Sequence, residues 1–124
     1  MEECVFCKEF DKDKVLFETT QWLAVYDGYP VSKGHTLLIP KSHYETFFDL
    51  PNQLIESLKY RIDDVKHILD EKFHPSGYNI GVNCGSSAGQ TIKHCHIHII
   101  PRYDGDCENP RGGVRGVIPS RMSY

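Results

Sequence analysis

The sequence predicts an α+β domain in which an antiparallel sheet of about five strands is covered on one face by a long helix. Three observations point there: short runs of alternating apolar and polar residues, one long segment with apolar residues at helical spacing, and turn residues between them. A chain of 124 residues, 40% hydrophobic and 25% charged, suits one domain with a modest core.

Residues 14–19, with Val15 and Phe17, and residues 21–27, with Leu23 and Val25, read as two strands. A third, His35-Thr36-Leu37-Leu38-Ile39-Pro40, follows the turn Ser32-Lys33-Gly34, which makes an antiparallel meander. Pro51 suits a first helical turn, and Leu54, Ile55, Leu58, Ile62, Val65, Ile68 and Leu69 then recur as one buried stripe. That helix should stop before Pro75-Ser76-Gly77. Two more extended runs, Tyr78 to Asn83 and His94 to Pro101, flank the loop Gly85-Ser86-Ser87-Ala88-Gly89. Residues 1–124 thus form a single domain, with an irregular tail rich in Gly, Pro and Arg from about residue 104.

A net charge of -3 offers no basic field of the kind that nucleic acid requires, so any polyanion site must be local. No segment is long and apolar enough to span a membrane, and the acidic start Met1-Glu2-Glu3-Cys4 is unlike a secretion signal, so a cytoplasmic location is expected. Cys4, Cys7, Cys84, Cys95 and Cys107 are an odd set for a disulfide framework and suit reduced thiols or a metal site better.

The chemistry concentrates in His94-Cys95-His96-Ile97-His98. In a strand alternate side chains share a face, so the three imidazoles should line one exposed face while Cys95, Ile97 and Ile99 enter the core. Positions i and i+4 of a strand lie roughly 13 Å apart, so all three such histidines can hardly close on one ion, although two neighbours could. Imidazole is also a nucleophile and proton carrier, because its neutral form is abundant and its second nitrogen can be oriented by a backbone carbonyl. Just upstream, Asn83-Cys84-Gly85-Ser86-Ser87-Ala88-Gly89-Gln90-Thr91 combines close-approach glycines with short polar side chains, which suits a phosphate.

The stretch Ala88 to Arg102 is similar to the histidine-triad (HIT) family motif, His-φ-His-φ-His-φ-φ with φ apolar, Cys95 being the least typical φ. Asp27, Lys33-Gly34-His35 and Ile39-Pro40-Lys41-Ser42-His43 match in order, so the resemblance covers residues 4–103. It implies the sheet above with one long and one short helix, and hydrolysis at the α-phosphate of an adenosine nucleotide, such as a dinucleoside polyphosphate or an AMP-linked compound. His96 would form a nucleotidyl-histidine, His98 would hydrogen-bond the phosphate or scissile oxygen, and the carbonyl of His94 would orient His96. Asn83, Gly89 and Thr91, with Gln90 beside them, would hold the α-phosphate, and Asp27 the ribose hydroxyls, with His35 as a further polar contact. Val5, Phe6, Val25 and Leu37 would enclose the purine base, in a pocket loosened by Gly28, where many relatives carry an apolar residue. The alternative is a nucleotide-sensing module with weak phosphoramidase activity.

Cys4-Val5-Phe6-Cys7 brings two sulfurs within reach of one tetrahedral ion but needs two further ligands. The resemblance supplies His43 and His94, and so a structural zinc on Cys4, Cys7, His43 and His94. It also implies a homodimer that protects the sheet edge. In the tail, Arg111 and Arg115 sit among glycines and are read as grips for a polyphosphate leaving group, with which a divalent cation such as magnesium would enter.

Overall fold

A computed structural model describes residues 4–124, so the acidic start Met1-Glu2-Glu3 lies outside the described residues. The meander forms as expected from Val15–Glu18 (β1), Trp22–Tyr26 (β2) and Thr36–Pro40 (β3). The helix Asn52–Phe73 (α1) follows, then Gly77–Val82 (β4) and Ile97–Arg102 (β5). The strands join in the order β1-β2-β3-β5-β4, every neighbouring pair antiparallel. Pro51 caps α1 rather than opening its first turn. His74 ends the helix in a left-handed conformation at φ 53° and donates its backbone N–H to the carbonyl of Asp70.

The two faces of the sheet are unequal. Leu54, Val65 and Leu69 of α1 pack against Trp22, Ala24, Leu38, Cys95, Ile97 and Ile99. Trp22 places its indole inside this layer because Nε1–H donates to Ser57 Oγ at 2.8 Å, which satisfies the one polar atom the ring must bury. The opposite face carries Val25, Leu37 and Ile39, covered only by Phe6, Phe10, Val15 and Leu23. Strand β3 is therefore buried on both sides, which is why its sequence reads as a continuous apolar run. Gly34, at φ 90°, leaves the Phe73 ring space that a Cβ would occupy at 2.9 Å.

Three expectations change. The last strand begins at Ile97 rather than His94, because Cys95 N–H donates to the carbonyl of Tyr44 at 2.6 Å, which joins the segment before Ile97 to the loop after β3 instead of to the ladder. The short helix takes the form of single 3-10 turns, at Phe47–Asp49 and elsewhere. The tail is folded: turns at Gly113–Val117 and Pro119–Arg121 are pinned by Arg115, whose Nε and Nη2 donate to the carbonyls of Met122 and Arg121 at 3.2 and 2.9 Å. The guanidinium carbons of Arg111 and Arg115 lie 4.7 and 4.9 Å from the centre of the Tyr124 ring. Arg115 is thus committed to its own tail and is not a free phosphate grip. No helix among the described residues is long and apolar enough to cross a membrane.

Leu69 is fully buried in the helix–sheet layer. Leu69→Ala should lower stability by about 2–5 kcal/mol, read as a fall in the urea midpoint with unchanged slope.

Candidate functional site

The face of the sheet away from α1 gathers the expected residues in one row, because cross-strand pairing sets Val25 against Leu37, Leu37 against His98 and His98 against Gly81. Gly81 adds no side chain beyond His98, and a Cβ there would meet nothing within 4 Å, so the row ends in open space. The three histidines do not share one exposed face. His94 is fully buried, His96 is 9% exposed and the His98 side chain 22% exposed.

Each ring is held in one tautomer by a partner that can only accept or only donate. His94 Nε2–H donates to the carbonyl of Pro40 at 2.8 Å, which leaves the Nδ1 lone pair free. His96 Nδ1–H donates to the carbonyl of His94 at 2.8 Å, which leaves the Nε2 lone pair unprotonated. Val31 N–H donates to His35 Nδ1 at 3.1 Å, so the proton of neutral His35 sits on Nε2. That Nε2 is 2.9 Å from His98 Nδ1 and donates to it, so His98 carries its own proton on Nε2. Burial, then the neighbouring His96 and His35, push His98 down to about 4 against the opposing pull of Asp27. Burial likewise lowers His35, again opposed by Asp27. Both rings are neutral at physiological pH, and His98 is a hydrogen-bond donor rather than a cation.

Asp27 completes this cluster, with Oδ1 accepting from Tyr29 N–H at 2.8 Å and Oδ2 lying 3.4 Å from His35 Nε2 and 4.0 Å from His98 Nδ1. By distance alone Asp27, His35 and His98 could hold an ion. The tautomers oppose this, since the nitrogen His35 would offer is protonated.

In the loop before the triad, Gly85 and Gly89 take φ 91° and 92°, where a side chain would strain the backbone although space is free. Gln90 differs from its expected role. Its Nε2 donates to the carbonyls of Glu45 and Ile92 at 2.6 and 3.0 Å, and its Oε1 accepts from Gly85 N–H at 2.8 Å, so the side chain braces the loop. Asn83 and Thr91 make no side-chain hydrogen bond with other described residues and are available to a ligand. Phe6 lies edge-on to His96, ring centres 4.8 Å apart, in the cluster of Val25 and Leu37. Val5 is half exposed and stands outside that cluster. A cavity of about 600 Å³ between the amino-terminal segment and β1–β3, with Phe10 and Ile39 in its walls, went unforeseen because it depends on how that segment folds back.

Cys4, Cys7, His43 and His94 converge, their donor atoms all within 4.8 Å of one another. His94 Nδ1 is 3.2 Å from Cys4 Sγ and 3.4 Å from Cys7 Sγ, and His43 Nδ1 is 3.4 Å from Cys7 Sγ. A tetrahedral zinc with bonds of about 2.3 Å to sulfur and about 2.0 Å to nitrogen has mixed edges of about 3.5 Å, so these separations and the donor types fit that ion.

Residues 8–105 match the family model described as the HIT domain. The chain is 42% identical over 112 residues to an uncharacterised HIT-like protein of Methanocaldococcus jannaschii, covering 85% of this chain and 83% of that one. It is 36% identical over 108 residues to an adenylylsulfatase of Arabidopsis thaliana, covering 85% of this chain but 55% of the relative. Among solved structures, a Zn-bound histidine triad family protein from Mycobacterium smegmatis superposes with a TM-score of 0.74 at 32% identity, over 83% of this chain and 77% of that one.

Nitrogen NMR of protein labelled at histidine, at neutral pH, should show His96 protonated on Nδ1 and His98 on Nε2, with His98 titrating below the ordinary value of 6.5. The opposite tautomer at His98 would sink the relay through His35.

Proposed function

Because the chain belongs to the histidine-triad (HIT) family, a family of nucleotide-binding proteins and hydrolases, we propose that it cleaves adenosine nucleotides at the α-phosphate through a nucleotidyl-histidine. The observation that carries this reading is the hydrogen bond from His96 Nδ1–H to the His94 carbonyl, which leaves Nε2 as an oriented lone pair.

His96 Nε2 attacks the α-phosphorus, the bond to the leaving oxygen breaks, and the imidazolium is stabilised through its Nδ1–H by the His94 carbonyl. Water then attacks the same phosphorus and gives up a proton to solvent, the P–N bond breaks, the nucleoside monophosphate is released and the electron pair returns to Nε2. His98 Nε2–H donates to the phosphate or scissile oxygen. Asn83, Gly89 and Thr91 hold the α-phosphate, Asp27 the ribose hydroxyls, and Phe6, Val25 and Leu37 the purine base, with Val5 at the rim. A neutral His98 suits leaving groups that depart as anions, such as a phosphate chain or sulfate, because these need a hydrogen bond rather than a full proton. A divalent cation such as magnesium would arrive with a polyphosphate substrate rather than in a cage of protein ligands.

Cys4, Cys7, His43 and His94 are the ligands we assign to a structural zinc. Four protein ligands leave no position for water, so the ion braces the amino-terminal segment against His94 and takes no part in the chemistry. The exposed edge strand β4 carries Ile80 at 46% exposure, and the tail adds exposed Val114, Val117 and Ile118. We assign this edge to a homodimer, the pairing that relieves an open strand.

His96→Ala should lower kcat by at least about a thousandfold, ~4 kcal/mol, while AMP binding by calorimetry changes little. Tight AMP binding with negligible turnover by the unmodified protein would instead favour a nucleotide sensor. Light scattering should give twice the chain mass, and Ile80→Lys should return it to that of one chain; a monomeric unmodified protein would end the dimer reading.

A further inference from the structure

Cys4 and Cys7 occupy one tight turn, with Cys7 N–H donating to the Cys4 carbonyl at 3.1 Å. Their sulfurs both belong to the cluster whose donor atoms lie within 4.8 Å of one another. Cys7 is exposed and Cys4 partly so, whereas Cys95 is buried. This turn is also a wall of the nucleotide site: between the two cysteines sits Phe6, whose ring stands 4.8 Å from that of His96 and joins the cluster of Val25 and Leu37. The contacts that reach from the sulfurs to the rest of the fold run to His43 and His94. Removing the sulfurs from those two rings therefore takes away the polar attachment on either side of Phe6, leaving only its apolar packing on Val25 and Leu37 to hold it beside His96.

We propose that Cys4 and Cys7 form a reversible oxidation site, in which peroxide converts the metal-bound thiolate pair into a disulfide, ejects the ion and weakens nucleotide binding by freeing Phe6. The step balances. Both thiolates are oxidised, one S–S bond forms, hydrogen peroxide takes the electron pair and two solvent protons to become two waters, and the ion leaves as a free dication. A dithiol reductant reverses it, the cysteines regaining their thiols and, with added zinc, the four-ligand cluster. The bridge closes a very short loop, so its effect lies in breaking the links to His43 and His94 rather than in stiffening the chain. Access favours this pair over Cys95, whose thiol lies within the helix–sheet core.

This inference rests on the structural-zinc reading, and the experiment separates the two. Full-length protein is analysed for zinc, treated with hydrogen peroxide beside a chromogenic zinc chelator, digested for disulfide mapping, and titrated with AMP before and after. The expected result is one zinc released per chain, a Cys4–Cys7 bridge, and AMP affinity weaker by at least about tenfold, restored by dithiothreitol and zinc. Cys107→Ser should respond in the same way. Cys7→His offers a fourth ligand but cannot form the bridge, so peroxide should leave this variant's zinc content and AMP affinity at the values it has before treatment. Untreated protein without metal overturns the zinc reading and this inference together. Zinc retained under peroxide, zinc lost without a change in AMP affinity, or a peroxide-sensitive Cys7→His overturns this inference alone.

Discussion

One residue, His94, ties the fold to the chemistry. Its ring is fully buried, yet both ring nitrogens and the backbone carbonyl have partners: Nε2–H meets the Pro40 carbonyl, Nδ1 faces the two thiols, and the carbonyl accepts from His96. A buried polar group without a partner costs about 1–3 kcal/mol, so this side chain is stable only where β3, the amino-terminal turn and the triad segment meet. The position of the His96 ring thus follows from the packing around His94. The same carbonyl that fixes the His96 tautomer is aimed by the ring that the thiols and Pro40 hold.

A second chain of constraints runs through neutral groups. His35 and His98 are lowered by burial, and Asp27 opposes but does not cancel that effect. Were either ring charged, the row beside His96 would be cationic and its lone pair less available. Keeping the rings neutral lets direction, rather than charge, organise the site: the Val31 N–H cannot accept, so every proton downstream of it has one place to go. This is why a cluster whose distances would suit a metal reads better as a hydrogen-bond relay.

The parts legible in the sequence were those set by local spacing. Strands β1 to β4 and helix α1 follow from alternation, helical stripes and turn residues, and Cys95, Ile97 and Ile99 enter the core as period two requires. What local spacing could not show came from distant partners. Cys95 leaves the ladder for the Tyr44 carbonyl, Gln90 spends its amide on Glu45 and Ile92, and Arg115 turns to Met122 and Arg121 rather than to a ligand. Each of these is a polar group satisfied across the fold, and residue type alone does not say which partner will be nearest. The metal cluster was legible only through the family resemblance, since two cysteines and two histidines spread from position 4 to 94 have no local signature.

The unequal faces of the sheet explain why the amino-terminal turn matters to the proposed site. One long helix can cover only one face, yet β3 is buried on both. The second layer must come from a few residues, chiefly Phe6 and Phe10, on a segment with no long helix or strand of its own. Such a segment loses backbone entropy of about 1–2 kcal/mol per ordered residue and buries little area in return. A cluster that links its two cysteines to His43 and His94 supplies the missing attachment at the point where Phe6 meets His96. Core completion and the proposed nucleotide recognition therefore fall on the same side chains, and the stability of that short turn sets how well Phe6 is held beside His96.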